Sequence, residues 1–194
     1  MKNKDVTILR HLIEHKNEKF NIRNISKSAK MDYKNTHAIV KRLENESLVK
    51  LEQFGQSLRV ELIPQSHPLI FEAEWNRRKD ALKNKNLAVI LNDIKTAIKS
   101  KFFIILLFGS YAKNTQTKHS DIDLMIIAPD GKEETIEKDV HRAVRSLPLP
   151  IHHMVFSEKQ FREMIDAKQP NVGQEASQKN VILYGIDQYY EMTK

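Results

Sequence analysis

Asp121 and Asp123 stand two residues apart at the head of an apolar run, Leu124-Met125-Ile126-Ile127. On a strand, period 2 puts both carboxylates on one face. Two like charges among such neighbours are costly unless something cationic lies between them. A Mg²⁺ ion carrying a triphosphate meets that need, because Mg²⁺ takes one or two carboxylates and completes its shell with substrate oxygens. Gly109-Ser110 supplies a complementary half. A glycine directly after an apolar run lets the backbone turn sharply and approach a ligand. Ser110 is placed to cap a following helix whose first amides would face an anion. Phosphate at that turn, with metal on the two aspartates, is an arrangement for phosphoryl or nucleotidyl transfer.

The elements that must position these groups flank them. Residues 102–108 are seven consecutive apolar residues. That is too few to span a bilayer, which takes roughly 20, and suits a strand buried on both faces. Gly109-Ser110, ten residues, then Asp121-x-Asp123 and an apolar run resembles the signature of the DNA polymerase beta-like nucleotidyltransferases. The small minimal nucleotidyltransferases of prokaryotes resemble it most, over roughly residues 102–190. The resemblance implies Mg²⁺-dependent transfer of a nucleoside monophosphate from a nucleoside triphosphate. Gly109 and Ser110 would hold phosphates, Asp121 and Asp123 the metal, and Lys113 and Lys118 would steady the triphosphate. Similar proteins include antitoxins that nucleotidylate a HEPN-type RNase toxin, so a protein acceptor is the implied partner.

After the motif, Asp130-Gly131 reads as a turn and residues 133–147 as a helix on Ile136, Val140, Ala143, Val144 and Leu147, stopped by Pro148 and Pro150. Residues 151–156 read as a strand, 158–168 as a helix and 181–185 as a closing strand, with Asp187 capping a last helix. Enzymes of the resembling superfamily carry a third carboxylate on the strand after the first of these helices. Here His152 or His153 stands in its place. A histidine there can act as base near neutral pH. A metal site on both histidines is disfavoured, since adjacent strand residues point to opposite faces.

The first part of the chain reads differently. Residues 1–64 carry 13 Lys and Arg against 8 Asp and Glu, whereas residues 101–194 carry 12 against 13. Such asymmetry points the N-terminal half at an anionic polymer. Helical spacing over residues 5–15, a second helix over 23–30 and a third from an Asp32 cap to about 45 precede two strands, 50–54 and 58–63. That order resembles a winged helix-turn-helix domain, in which the third helix enters the major groove and the hairpin touches the backbone. The resemblance implies duplex DNA as partner. Asn35 and His37 would read base edges, and Lys34, Lys41 and Arg59 would meet phosphates. Ser47 stands where such domains often end the third helix on glycine. Beyond Pro68, residues 69–98 read as two helices broken at 83–86, with Trp75 on an apolar face and therefore core.

The expected fold class is α+β: a winged helix-turn-helix over residues 1–64, a helical connector over 65–100, and a small mixed α/β nucleotidyltransferase sheet over 101–194. Cysteine is absent, which fits a reducing cytoplasm and excludes disulfides and cysteine metal sites. The N-terminal stretch lacks the uninterrupted apolar core of a signal peptide, and no segment is long enough to cross a membrane. The competing reading is a DNA-binding transcriptional regulator whose second domain is a degenerate nucleotidyltransferase that senses nucleotide or forms a homodimer.

Overall fold

In the computed structural model, which describes residues 4–55 and 57–193, the first unit of the chain runs from Met1 to Trp75. Its α1 (Lys4–Glu14) buries Val6, Ile8, Leu9, Leu12 and Ile13. β1 (Phe20–Asn21) leads straight into α2 (Ile22–Ser28), which Asn21 caps by accepting from the Asn24 amide at 2.8 Å. Asp32 does the same for α3 (Tyr33–Asn45), its carboxylate accepting from the Asn35 amide at 2.9 Å. Thr36, Ile39, Val40 and Leu43 of α3 face the core.

α3 ends through Ser47, held at φ +57°. The Ser47 amide donates to Glu44 and the Leu48 amide to Leu43, both at 2.9 Å, which satisfies two terminal carbonyls in a Schellman pattern. The position is one that glycine occupies without strain. β2 (Val49–Phe54) and β3 (Ser57–Leu62) then form an antiparallel hairpin, and β1 adds to β3, giving the order β1-β3-β2. Alternation along the hairpin buries Val49 and Val60 and leaves Lys50, Glu52 and Phe54 outside.

α4 (Pro68–Ala81) contains the division between the units, the second of which runs from Asn76 to Thr193. Trp75 corrects the sequence expectation: it is 55% exposed, while Ile70, Ala73 and Glu74 of the same helix are buried. The apolar residues of α4 do not recur at one helical spacing, so the face that turns inward was not fixed by its pattern. In the second unit, Arg77 donates to the Asn180 carbonyl, and Arg78 Nε to the Leu183 carbonyl at 2.6 Å.

α5 (Lys85–Ala97) starts at an Asn84 cap. β4 (Ile104–Leu107), α6 (Gly109–Lys113), β5 (Ile122–Ala128), α7 (Glu133–Arg145) and β6 (Ile151–Ser157) follow. α8 (Glu158–Asp166), α9 (Val172–Gln178), β7 (Val181–Tyr184) and α10 (Ile186–Met192) complete the unit. The sheet order is β6-β5-β4-β7. β4 is antiparallel to β5 and β7, whereas β5 and β6 are parallel and joined by the α7 crossover that a parallel pair needs.

Ile122, Leu124, Ile126 and Ala128 of β5 pack with Leu87, Ile90 and Ile94 of α5 and Ile136 and Val140 of α7. Each such fully buried aliphatic contributes about 1.5–3 kcal/mol. The odd-numbered positions of β5 lie on the other face, where Met125 and Ile127 are buried too and only Asp123 is partly open.

Local differences from the sequence reading have physical causes. β4 takes only four of the seven apolar residues: Phe102 is 66% exposed, and Phe103 stacks on Tyr184 with ring centroids 4.5 Å apart. α8 stops at Asp166, and α9 was not foreseen, because VGQEASQ carries no apolar period. Its one signal is Asn171, which caps it by accepting from the Gln174 amide at 3.0 Å. Gly185, in a left-handed conformation, occupies the cap position of α10, so Asp187 lies in the first turn rather than at the cap. Among the described residues no helix is long and apolar enough to cross a membrane.

Candidate functional site

The site of the second unit is built where β4 ends and β5 begins. Gly109 follows β4 at φ +64°, and a Cβ there would lie 2.1 Å from Asp123 Oδ2 and 2.9 Å from its Cγ. Only glycine permits this turn to lie directly against that carboxylate. The Phe108 amide donates to the Asp123 carbonyl at 3.1 Å, fixing the two segments at backbone level. Asp121 lies just before β5 and is exposed, whereas the Asp123 side chain is 26% exposed. The Ile122 amide between them donates to the Pro150 carbonyl at 2.8 Å.

Ser110 does not cap α6. Phe108 occupies the cap position and offers no side-chain acceptor, so Ser110 falls inside the first turn, its carbonyl accepting from the Thr115 amide at 3.0 Å. The left-handed Gly109 starts the helix two residues earlier than a Ser110 cap implied. α6 closes at Asn114, itself left-handed at φ +55°. Lys113 points its ammonium at Glu175 of α9, 2.8 Å away, in a pair that is 40% and 49% exposed. Lys118 is exposed in the loop before β5.

The parallel register of β5 and β6 sets Asp123 opposite His152 and Leu124 opposite His153. His152 Nδ1 lies 3.4 Å from Asp123 Oδ1, and its ring is 61% exposed. His153 belongs to the opposite face, with its ring centroid 5.9 Å from that of His141 on α7. Burial pushes the His153 pKa below the usual histidine value; proximity to His141 and to His152 adds to this, against a smaller opposing pull from Glu137. The two adjacent histidines thus have unrelated surroundings, and only His152 shares a face with Asp123.

Asp121 and Asp123 offer hard carboxylate oxygens, the donor type that Mg²⁺ takes when substrate oxygens fill the rest of its shell. Among the described residues no three His, Cys, Asp or Glu side chains converge to hold a metal unaided. The donor set fits an ion that arrives with its phosphates better than a resident metal.

In the first unit, Lys34, Asn35 and Lys41 are exposed on α3 and His37 is partly so. Three of them have a neighbour on the same helix or at its cap. The Asn35 amide group donates to Asp32 at 2.5 Å, Lys41 pairs with Glu44 at 2.9 Å, and His37 lies beside Tyr33 with centroids 6.1 Å apart. Arg59 lies 3.6 Å from Glu52 and stacks over the Phe54 ring at 5.4 Å. Tyr33 and Phe54, 54% and 69% exposed, were missed by the sequence reading. The signal for Phe54 was its place next to the turn glycine, outside the buried alternation.

Residues 91–191 match the family described as nucleotidyltransferase domain, just over half of the chain, and the chain belongs to that family. Two proteins of Methanocaldococcus jannaschii are similar over shorter stretches. One, named "Putative protein adenylyltransferase MJ1305", is 35% identical over 72 residues, which are 35% of this chain and 48% of its own length. The other, "Putative protein adenylyltransferase MJ1547", is 61% identical over 31 residues, 16% of this chain and 25% of its own length. The chain therefore spans about half the length of the first relative and a quarter of the second. A solved structure of TrmBL2, described as an archaeal chromatin protein with a novel mode of DNA binding, overlaps 87% of this chain and 67% of its own. With 13% identity and a TM-score of 0.28, that likeness carries no argument.

Proposed function

We propose that the second unit is an Mg²⁺-dependent nucleotidyltransferase that moves a nucleoside monophosphate from a nucleoside triphosphate to a hydroxyl of a protein acceptor. The observation that carries this reading is the contact of Gly109 with Asp123, which leaves no room for any side chain between the turn and the carboxylate. Gly109 and Ser110 present the turn to the phosphates, and Asp121 and Asp123 hold the ion. Mg²⁺, when bound, neutralises the triphosphate and the charge that develops on the leaving oxygen.

The acceptor oxygen forms a bond to the α-phosphorus while the bond to the bridging oxygen of the β-phosphate breaks, and pyrophosphate leaves. His152 takes the acceptor proton on Nε2: its Nδ1 faces Asp123 Oδ1, which orients the ring and stabilises the imidazolium. Lys113 reaches the triphosphate only by giving up Glu175, an exposed pair that costs little to break. The names of the Methanocaldococcus relatives support adenylyl transfer to protein, and a HEPN-type toxin is the acceptor class implied by the family resemblance.

The first unit is read as a winged helix-turn-helix that brings the transferase to duplex DNA in the cytoplasm, through Lys34, Asn35, His37 and Lys41 of α3 and Arg59 of the hairpin. The support is its basic balance and the segregation of these α3 residues from the buried Thr36, Ile39, Val40 and Leu43.

A second reading, a regulator whose second unit senses nucleotide or holds a homodimer without catalysis, is favoured by one observation. The position opposite Asp123 is a histidine rather than an acid. Mass spectrometry of the full chain, with HEPN-type acceptors, after incubation with each nucleoside triphosphate and Mg²⁺ separates the two. Acceptor mass increased by one nucleoside monophosphate is expected. Triphosphate binding without any transfer, in the parent and in His152→Asp, would establish the sensor.

A further inference from the structure

The two edges of the second unit's sheet differ. At β7 the carbonyls of Asn180 and Leu183 accept from Arg77 and Arg78, so side chains occupy that edge. β6, the opposite edge, has β5 as its one sheet neighbour among the described residues. It keeps register with β5 over seven residues, without the lysine, proline or bulge that commonly guards an edge. Ile151 to Phe156 all stay partly or fully open, whereas β5 beside them is buried from Leu124 onward. The flank of this edge is charged. His141 of α7 lies against His153 of β6, with ring centroids 5.9 Å apart. The face of α7 that bears His141 lines a cleft of about 930 Å³, acidic at Glu134 and Glu137 and basic at Lys138, Arg142 and Arg145. The basic end is the one from which the chain returns to the start of β6, where His152 stands. Arg142 is 80% exposed there, and its contact with Asp139 is 3.9 Å long.

We propose that the acceptor is an acidic, extended protein segment that adds as a further strand to the free edge of β6. The proposal rests on the transferase reading and supplies what that reading left open, how the acceptor is held. An added strand lies about 4.8 Å from its neighbour and bonds through its backbone whatever its sequence. Its side chains alternate between the two faces of the sheet. The residue opposite His152 therefore shares the face of Asp123, with its Cβ about 5 Å from that of His152, and it carries the hydroxyl. That oxygen bonds the α-phosphorus, its proton passes to His152 Nε2, and pyrophosphate leaves. The residues on either side of it turn to the face of His153 and α7. Glutamate or aspartate at those positions meets the cations Arg142 and Arg145, and a lysine there would be repelled.

The test uses the full chain and a short fluorescent peptide of valine and threonine with a central serine between two glutamates. Binding is read by anisotropy, and transfer by peptide mass after incubation with each nucleoside triphosphate and Mg²⁺. The glutamate peptide is expected to bind, and a counterpart with lysines in place of the glutamates to bind roughly tenfold or more weakly. N-methylation of alternate peptide amides blocks one edge of the peptide strand at a time. One of the two methylated isomers is expected to lose binding and the other to keep it. Arg142→Glu together with Arg145→Glu lies on the exposed face of α7, away from Asp121 and Asp123. This variant is expected to reverse the preference between the two peptides and to leave Mg²⁺–triphosphate affinity, read by calorimetry, unchanged. Docking of this kind without any transfer supports the edge site and brings down the transferase reading. If no peptide binds, if both methylated isomers bind as the unmethylated peptide does, or if glutamate and lysine peptides bind alike, the edge site is overturned whatever the transfer shows. A dimer in sedimentation that excludes every peptide would give the edge to a second copy of this chain and overturn the proposal as well.

Discussion

The two units present charge in opposite ways. In the second, Asp123 sits at the head of a strand whose next residues are all buried, its position fixed by register and its carboxylate set against a left-handed glycine. In the first, Lys34 and Lys41 lie on an open helix face, and Lys41 and Arg59 already have local acidic partners. A carboxylate held against an apolar strand costs free energy that the fold alone does not recover, so it points to a ligand. A solvated lysine costs nothing and points nowhere by itself. The geometry of the second unit therefore specifies chemistry more sharply than the charge of the first specifies a partner.

The largest effect expected is at Gly109. Alanine there meets both the left-handed backbone, about 1–2 kcal/mol, and the Asp123 carboxylate, about 1–3 kcal/mol for an overpacked site. Gly109→Ala is expected to lower the stability of the second unit and abolish triphosphate binding, read by urea unfolding and calorimetry. Parent-like values for both would dissolve the contrast between the units.

Asp123→Asn is next. It keeps the shape and removes the charge, so Mg²⁺-dependent triphosphate affinity should fall roughly tenfold or more, with the fold intact. Equal affinity in variant and parent by calorimetry would mean that the carboxylate serves structure only.

A histidine in each unit sharpens the comparison by pH. Burial, then His15, holds His11 below the ordinary value, against the opposing pull of Glu14 and Glu18. Burial, then His141, does so for His153. With a folded pKa below the unfolded one, the unfolded state binds more protons, so stability is full above about pH 6.5 and falls as pH drops toward the lowered folded values. His153→Gln is expected to reduce this acid loss for the second unit's unfolding transition and leave the first unit's in place. An unchanged acid limb for the second unit would remove His153 as its source.

The smallest effect belongs to the first unit. Ser47→Gly relieves a left-handed non-glycine residue and is expected to raise stability by about 1 kcal/mol, with no change in triphosphate binding. A loss of stability in thermal unfolding would show that Ser47 contributes more than its backbone conformation.

Much of this was legible in the chain. The interval from Gly109-Ser110 to Asp121-x-Asp123 names the family by local spacing alone, and the third-helix burial at Thr36, Ile39, Val40 and Leu43 follows from a 3.6-residue period that needs no partner to be read. Ser47 was visible as an anomaly because the end of the third helix in the domain it resembles often carries glycine, the residue that a left-handed turn favours.

Other features depended on contacts between segments far apart in sequence. Whether His152 or His153 meets Asp123 is a matter of strand register, and one residue of slip would exchange them. Trp75 and Phe102 read as core by type, yet both are exposed, because burial depends on which neighbours arrive and not on hydrophobicity alone. Lys113 was read as a phosphate ligand and is found on Glu175 of a helix that the sequence did not announce. The nearness of Gly109 to Asp123 is of the same kind. Spacing placed both in one motif, but only the antiparallel closure of β4 on β5 brings a backbone turn against a carboxylate fourteen positions away.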